Sequence, residues 1–224
     1  MEKIYTIPVN EAFEAEDGCP FCRLYDMLEN NELDIILGAS MMEPDIRIET
    51  NKKGFCHEHY DKMFGAKNRL GLALMLETHI DELIAHLSKK PLIGDKLKSA
   101  SDFLATASKS CYVCDRIDNN FQKMVECACI LWESDENFRR KFEKTPMFCI
   151  KHYSMMLEKA NTFISKKIRP DFFKAADEIE LKYLKSLKED VSWFCKKFDY
   201  RYDDEPWGNS KDAVERAIKS VYHK

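Results

Sequence analysis

The residues best suited to chemistry in this sequence are cysteines and histidines that recur in two short motifs. A C-x-x-C motif begins at Cys19 and again at Cys111, and an F-C-x-x-H-Y motif begins at Phe55 and again at Phe148. Zinc prefers four ligands in a tetrahedron, and thiolate and imidazole are its usual ligands in proteins. Two ligands three residues apart at the start of a helix share one face and can bind the same ion. The eight candidate metal ligands are Cys19, Cys22, Cys56, His59, Cys111, Cys114, Cys149 and His152.

The two copies of this pattern keep nearly the same spacing. The second C-x-x-C follows the first by 92 residues, and the second F-C-x-x-H-Y follows the first by 93. Matching residue types in the same order and nearly the same register indicate an internal duplication. We therefore predict one metal site in each half of the chain. The first site is predicted to comprise Cys19, Cys22, Cys56 and His59, and the second Cys111, Cys114, Cys149 and His152.

Zinc is the metal that this ligand set favours, at two ions per chain. Iron or an iron–sulfur cluster is an alternative, because three cysteines and a histidine can also hold a cluster, and buried thiols without metal are a third interpretation. His57 competes with His59 as the ligand in the first half. The second half favours His59, because Ile150 occupies the position that corresponds to His57.

A site with four protein ligands is typical of structural zinc, whereas a hydrolytic zinc keeps one position open for water. The leading hypothesis is therefore a zinc-stabilised protein with no catalytic residue that binds a protein or small-molecule partner in a groove between its halves. One alternative is a redox-responsive sensor whose zinc thiolates release metal on oxidation. Another alternative is an enzyme with an unidentified pocket. The sequence does not decide whether the protein is an enzyme, but it favours a protein without catalytic activity.

The elements that must position these residues are predicted to be helices, which gives an all-α fold of two repeated halves. Gly and Pro are scarce, with 7 of each, and apolar residues recur at helical spacing. Residues 1–18 are expected to be irregular with an extended piece at 5–8, and 41–54 to be a polar loop with room for one short helix. The other segments are predicted as helices near residues 20–42, 55–88 (with a break near Gly65 or Gly71), 95–109, 112–133, 135–143, 147–166, 171–198 and 210–222.

The repeat also sets the expected division of the chain. Residues 1–94 form the first repeat, with an N-terminal arm and the first pair of motifs. Residues 95–202 form the second repeat, which ends in the long helix. Residues 203–224 form a tail and a final helix.

Composition excludes several classes of function. The chain has 224 residues with a net charge of −4 and a pI near 5.9, so we expect no nucleic-acid partner. No stretch reaches the roughly 20 apolar residues of a membrane helix, and the N-terminus lacks the apolar segment of a signal peptide. We therefore expect a cytoplasmic protein, whose nine cysteines serve as metal ligands, redox groups or buried thiols rather than disulfides. The oligomeric state is left open.

Several further residues have types that can carry chemistry but belong to no motif. Cys195 is predicted to pack in the core, because it lies on the apolar face of the helix predicted at 171–198. The same face contains a carboxylate, Glu180, that needs a partner or partial exposure. The sequence leaves open the roles of Cys127, Cys129, His79, His86 and Glu180.

Motifs along most of the chain resemble an uncharacterised family of bacterial proteins, found chiefly in Firmicutes. The resemblance implies a bacterial cytosolic protein with metal-type motifs, and it brings no known activity. Tyr112 departs from the pattern, because it stands where the first copy has Pro20, but the ligands keep their places. The resemblance rests on Ile7-Pro8-Val9, Glu11-Ala12-Phe13, Cys19-Pro20-Phe21-Cys22, Gly54-Phe55-Cys56 with His59, the second copies of both motifs, and Pro206-Trp207-Gly208.

Overall fold

The computed structural model describes residues 3–88 and 95–221. Within those ranges the chain forms eleven α-helices, four short 3-10 helices and no strand, which confirms the predicted all-α class. None of the described helices is both long enough and apolar enough to cross a membrane.

Several helices of the structure match the predicted ones closely. The predicted helix at 55–88 is divided in two at residues 66–68, close to the expected break, and the helices predicted at 95–109, 112–133, 135–143 and 171–198 agree with the structure to within a few residues. In chain order the helices are α1 (Thr6–Glu14), α2 (Pro20–Leu37), α3 (Pro44–Lys53), α4 (His57–Gly65), α5 (Arg69–Ser88), α6 (Lys96–Ala107), α7 (Tyr112–Ser134), α8 (Glu136–Glu143), α9 (Ile150–Phe163), α10 (Arg169–Lys196) and α11 (Ala213–Val221).

Contacts within the chain divide it into two compact units. Unit 1 comprises Met1–Asp26 and Phe121–Lys224, and unit 2 comprises Met27–Asn120. Both boundaries fall inside helices, since α2 begins in unit 1 and ends in unit 2, whereas α7 begins in unit 2 and ends in unit 1. The two units therefore differ from the two halves of the sequence repeat.

Aromatic side chains form much of the core of unit 1. The ring of Phe13 lies 4.9 Å from that of Phe138 and 5.9 Å from that of Phe142. The ring of Phe142 lies 5.4 Å from that of Phe148. All four side chains are buried, and burial of large aromatic groups is a major source of folding free energy. This cluster joins α1 and α8 to the segment that leads into α9.

The N-terminal segment is helical, so the prediction of an irregular arm with an extended piece at residues 5–8 is wrong. Helix α1 places Pro8 in its first turn, where the missing N–H removes no helical hydrogen bond. Val9, Ala12 and Phe13 then follow helical spacing and are buried. Burial of this face stabilises a helix that is too short to be stable in isolation.

The segment predicted as a polar loop at 41–54 contains α3, a helix of ten residues. Pro44 is its first residue, a position that suits the fixed φ of proline. Gly54 follows its last residue with a φ of 60°, a conformation that favours glycine. Arg47 donates to the carbonyl of Leu74 at 2.8 Å, which joins α3 to α5 within unit 2.

The C-terminal segment covers one side of the end of α10. Trp193 donates its indole N–H to the carbonyl of Pro206 at 3.0 Å, and the buried ammonium of Lys197 donates to backbone carbonyls of the same segment. Cys195 is exposed, so the prediction that it packs in the core is wrong. The physical reason is that the segment packs on Trp193 and Lys197 and leaves Cys195 uncovered.

Candidate metal centres

Each of the four motifs lies at the N-terminus of a helix. Cys19 and Cys111 directly precede α2 and α7, and Cys56 and Cys149 are the N-cap residues of α4 and α9. The carbonyl of each of these cysteines accepts the backbone N–H four residues further on, at 2.8–3.3 Å. The second ligand of each motif therefore lies one turn into the helix on the same side. Helix N-termini carry partial positive charge, which favours thiolates.

Four of the predicted ligands meet in unit 1, in a cluster that we name centre I: Cys19, Cys22, Cys149 and His152. Nδ1 of His152 lies 3.2 Å from Sγ of Cys149, 3.4 Å from Sγ of Cys22 and 3.8 Å from Sγ of Cys19. The sulfurs of Cys22 and Cys149 are 3.6 Å apart. Cys22 is half-buried and the other three residues are buried.

The other four predicted ligands meet in unit 2, in centre II: Cys56, His59, Cys111 and Cys114. Nδ1 of His59 lies 3.1 Å from Sγ of Cys56, 3.3 Å from Sγ of Cys111 and 3.5 Å from Sγ of Cys114. The sulfurs of Cys56 and Cys114 are 3.9 Å apart. Centre II thus repeats the atoms and the spacing of centre I.

The structure brings together all eight residues, but it contradicts the predicted pairing of motifs within each half. Centre I combines the C-x-x-C of the first half with the C-x-x-H of the second, and centre II combines the remaining two motifs. Packing decides this exchange. In unit 1 the ring of Phe21 lies 5.9 Å from that of Phe148, which sets the start of α2 beside the start of α9. In unit 2 Tyr112 donates its N–H to the carbonyl of Gly54 at 3.0 Å, which sets the start of α7 beside the start of α4.

The distances within both clusters fit a single metal ion. In a tetrahedral zinc site with Zn–S of about 2.3 Å and Zn–N of about 2.0 Å, neighbouring ligand atoms lie roughly 3.5–3.8 Å apart. The measured separations given above run from 3.1 to 3.9 Å, and all ligand atoms of a cluster lie within 4.8 Å of one another. Each cluster provides three sulfurs and one imidazole nitrogen, which is a full set of ligands for zinc.

The electrostatics of centre I show why three clustered thiols favour a cation. Burial raises the pKa of the Cys19 thiol to about 12, and hydrogen bonding with Cys149 raises the pKa of Cys22. The pKa of Cys149 is lowered, because Cys19 and Cys22 both donate to its sulfur. The protein groups alone therefore stabilise one thiolate among three sulfurs, whereas a divalent cation would stabilise all three.

A buried carboxylate holds the histidine of centre II. Nε2 of His59 lies 3.1 Å from Oε1 of Glu29, whose other oxygen accepts from the ammonium of Lys62. With Nε2 donating to the carboxylate, Nδ1 presents its lone pair to the sulfurs, as in metal-bound histidines. Burial lowers the pKa of His59, which favours the neutral form that a metal requires. Sequence reasoning missed Glu29, because it lies outside every motif.

The surroundings of centre I are different. The ring of His152 lies against that of Phe121, with centroids 5.0 Å apart. The buried Glu180 accepts the N–H of Phe148, the residue before Cys149, at 3.1 Å, and burial raises the pKa of its carboxyl group. Glu180 thereby fixes the backbone at the start of α9. Its position inside the apolar face of a predicted helix is the sequence signal that points to it.

Other candidate residues lie outside both centres. His57, the rival of His59, is exposed, and its Nδ1 lies 2.9 Å from a carboxylate oxygen of Asp61. Cys127 and Cys129 are buried in α7 and belong to neither cluster. Their burial agrees with a packing role.

The two histidines of α5 make contacts within unit 2. Nδ1 of His79 lies 2.7 Å from the carbonyl oxygen of Asn51. The ring of His86 stacks on Phe103 at 4.1 Å, and its Nε2 lies 3.2 Å from a carboxylate oxygen of Glu82. Neither histidine joins a metal-type cluster among the described residues.

The chain belongs to a family of proteins of unknown function, DUF6062, whose sequence profile matches residues 1–224. No curated protein and no solved structure shows a significant match to the chain. This match confirms that the chain belongs to an uncharacterised family and supplies no activity, so the function has to be inferred from the two centres.

Proposed function

We propose that each centre binds one zinc ion, so that the chain binds two, and that both ions are structural. The observation that supports this most directly is the presence of three sulfurs and one imidazole nitrogen within 4.8 Å of one another in each unit. Zinc accepts such a tetrahedral donor set. An iron–sulfur cluster, the alternative, inserts several iron and sulfide atoms between its protein ligands and would hold them farther apart.

A structural role follows from the number of ligands. Catalytic zinc sites use three protein ligands and leave the fourth position to water or substrate, whereas structural sites use four. Both centres provide four, so a bound zinc ion has no position left for a reacting oxygen. We therefore propose no zinc hydrolysis at either centre.

Each ion would join segments that are distant in sequence. In centre I the ligands Cys22 and His152 are 130 residues apart, and in centre II Cys56 and Cys114 are 58 residues apart. The ligands are dispersed in the unfolded chain, so the free energy of metal binding becomes free energy of folding. Removal of zinc is expected to lower the melting temperature and the helical content.

The cellular role that we propose is binding of a protein or small-molecule partner in the cytoplasm of a bacterial cell. Zinc sites with four protein ligands are typical of a structural role, which fits a protein that binds a partner better than one that uses zinc in catalysis. None of the nine cysteines forms a disulfide, and six of them lie in the two centres, which suits a reducing compartment. The resemblance of the motifs to a bacterial family supports the proposed origin.

Metal analysis of the full chain, purified under reducing conditions without chelators, tests the zinc sites. We expect two zinc ions per chain in the wild type and one after Cys149→Ser, because that substitution removes a ligand from centre I alone. Cys195→Ser is the matched control and should retain two, since Cys195 is exposed and belongs to neither centre. Iron in place of zinc, or the absence of metal, would contradict the proposal.

A further inference from the structure

A cavity of about 380 Å³ borders centre I within unit 1. Three of the four candidate metal ligands line it, namely Cys19, Cys22 and Cys149, and Pro146 and Met147 supply an apolar wall. A zinc ion with four protein ligands offers no coordination position to a molecule in this cavity. The cysteine residues that hold the ion are nevertheless open to a molecule that reacts with sulfur.

Cys22 is the most accessible of the three. It is half-buried, whereas Cys19 is 8% exposed and Cys149 is 1% exposed. The sulfur of Cys149 lies 3.6 Å from that of Cys22. A second thiolate is therefore within reach once Cys22 has reacted.

The cavity also contains a cation that pairs with no carboxylate of the described residues. The guanidinium of Arg216 lies 2.9 Å from the carboxylate of Asp190, and the carboxylate of Asp17 is paired with Arg23. Lys219 lines the same cavity, is exposed, and forms no ion pair with any residue in the described ranges. Its ammonium group is therefore available to a negatively charged ligand.

We propose that this cavity binds a small anionic disulfide, whose negative group contacts Lys219 and whose sulfur atoms reach Cys22. The apolar wall of Pro146 and Met147 suits the uncharged centre of such a molecule. The inference rests on the proposed function, because the cysteines that react are the proposed zinc ligands of centre I, and the attacking group in such an exchange is a thiolate. Cys22 becomes a modification site through which small disulfides control the zinc of centre I.

The reaction has two steps. The Cys22 thiolate attacks one sulfur of the bound disulfide, a Cys22–ligand disulfide forms, and the first half of the ligand leaves as a thiolate. The Cys149 thiolate then attacks the sulfur of Cys22, which forms a Cys22–Cys149 disulfide and releases the second half as a thiolate. Two electrons pass from the two cysteines to the ligand, and a zinc ion held in centre I would thereby lose two of its four ligands and be released.

The test compares two small disulfides of opposite charge on the zinc-loaded full chain. The anionic probe is 3,3′-dithiodipropionate and the cationic probe is cystamine. A chromogenic zinc indicator follows zinc release, and peptide mass mapping after rapid thiol alkylation identifies the first cysteine modified. We expect the anionic probe to release the first zinc at least about fivefold faster, the factor that attraction between two unit charges about 4 Å apart supplies even in bulk water, and to modify Cys22 first.

Charge reversal at the cavity provides the control. Lys219→Glu should abolish or reverse the preference for the anionic probe, whereas Lys211→Glu, at an exposed position outside the cavity, should preserve it. Equal rates for the two probes, or first modification at a cysteine of centre II, would overturn the inference while the zinc sites stand. Zinc content is measured before the disulfide is added, so failure of the proposed function shows as missing zinc in that first measurement.

Discussion

At the scale of the residue, a buried carboxylate fixes the histidine of centre II. His59 donates to the buried carboxylate of Glu29, which itself accepts from Lys62. In centre I, the ring of His152 packs against the aromatic ring of Phe121. A carboxylate on the outer nitrogen fixes the tautomer and makes the inner nitrogen a stronger donor to metal. Glu29 therefore gives the imidazole of centre II an electrostatic support.

The contribution of this carboxylate can be measured with Glu29→Gln. Because the substitution keeps the size of the side chain and removes its charge, we expect the zinc affinity of centre II to fall about tenfold or more. Competition with a chelator of known affinity measures the change. Asp34→Asn, at an exposed position on the same helix, is the control and should leave both affinities unchanged. An unchanged affinity in the Glu29 variant would show that the carboxylate does not support the metal ligand.

At the scale of the element, helices that repeat apolar residues over many turns can be predicted from the sequence. The long helices α7 and α10, with 23 and 28 residues, are of this kind. Helices α1 and α3 have only 9 and 10 residues, and each has a proline near its start. In a sequence, such a short segment with a proline is hard to distinguish from irregular structure. Their stability comes from tertiary contacts, namely the burial of Phe13 and the hydrogen bonds of Arg47. Those contacts join distant segments and leave no local signal.

The role of α1 in the core can be tested by Phe13→Ala. The side chain is 2% exposed and lies among buried aromatic rings, so its removal should lower the free energy of unfolding by about 3–5 kcal/mol. Chemical denaturation of the zinc-saturated protein measures this change. Ile7→Ala on the same helix, at a position that is 66% exposed, should change stability by less than about 1 kcal/mol. Similar effects of the two substitutions would mean that α1 does not dock as described.

At the scale of the whole molecule, each unit contains one complete centre. Each half of the sequence repeat nevertheless supplies two candidate ligands to centre I and two to centre II. The eight candidate ligands can be predicted because their types and spacing match those of known zinc ligands. Their pairing cannot be predicted, since the two copies of each motif are chemically equivalent. Only side-chain and backbone packing distinguishes them, as in the contact of Phe21 with Phe148 and the hydrogen bond from Tyr112 to Gly54.

Zinc counts in paired variants separate the exchanged arrangement from pairing within each half. Cys22→Ser together with Cys149→Ser removes two ligands from centre I and none from centre II, so one zinc per chain should persist with wild-type affinity in a chelator competition. Cys22→Ser together with Cys56→Ser removes one ligand from each centre, so no zinc should bind with wild-type affinity. Pairing within each half would give the opposite result for both variants, because Cys22 and Cys56 would then share one ion and Cys149 would bind the other.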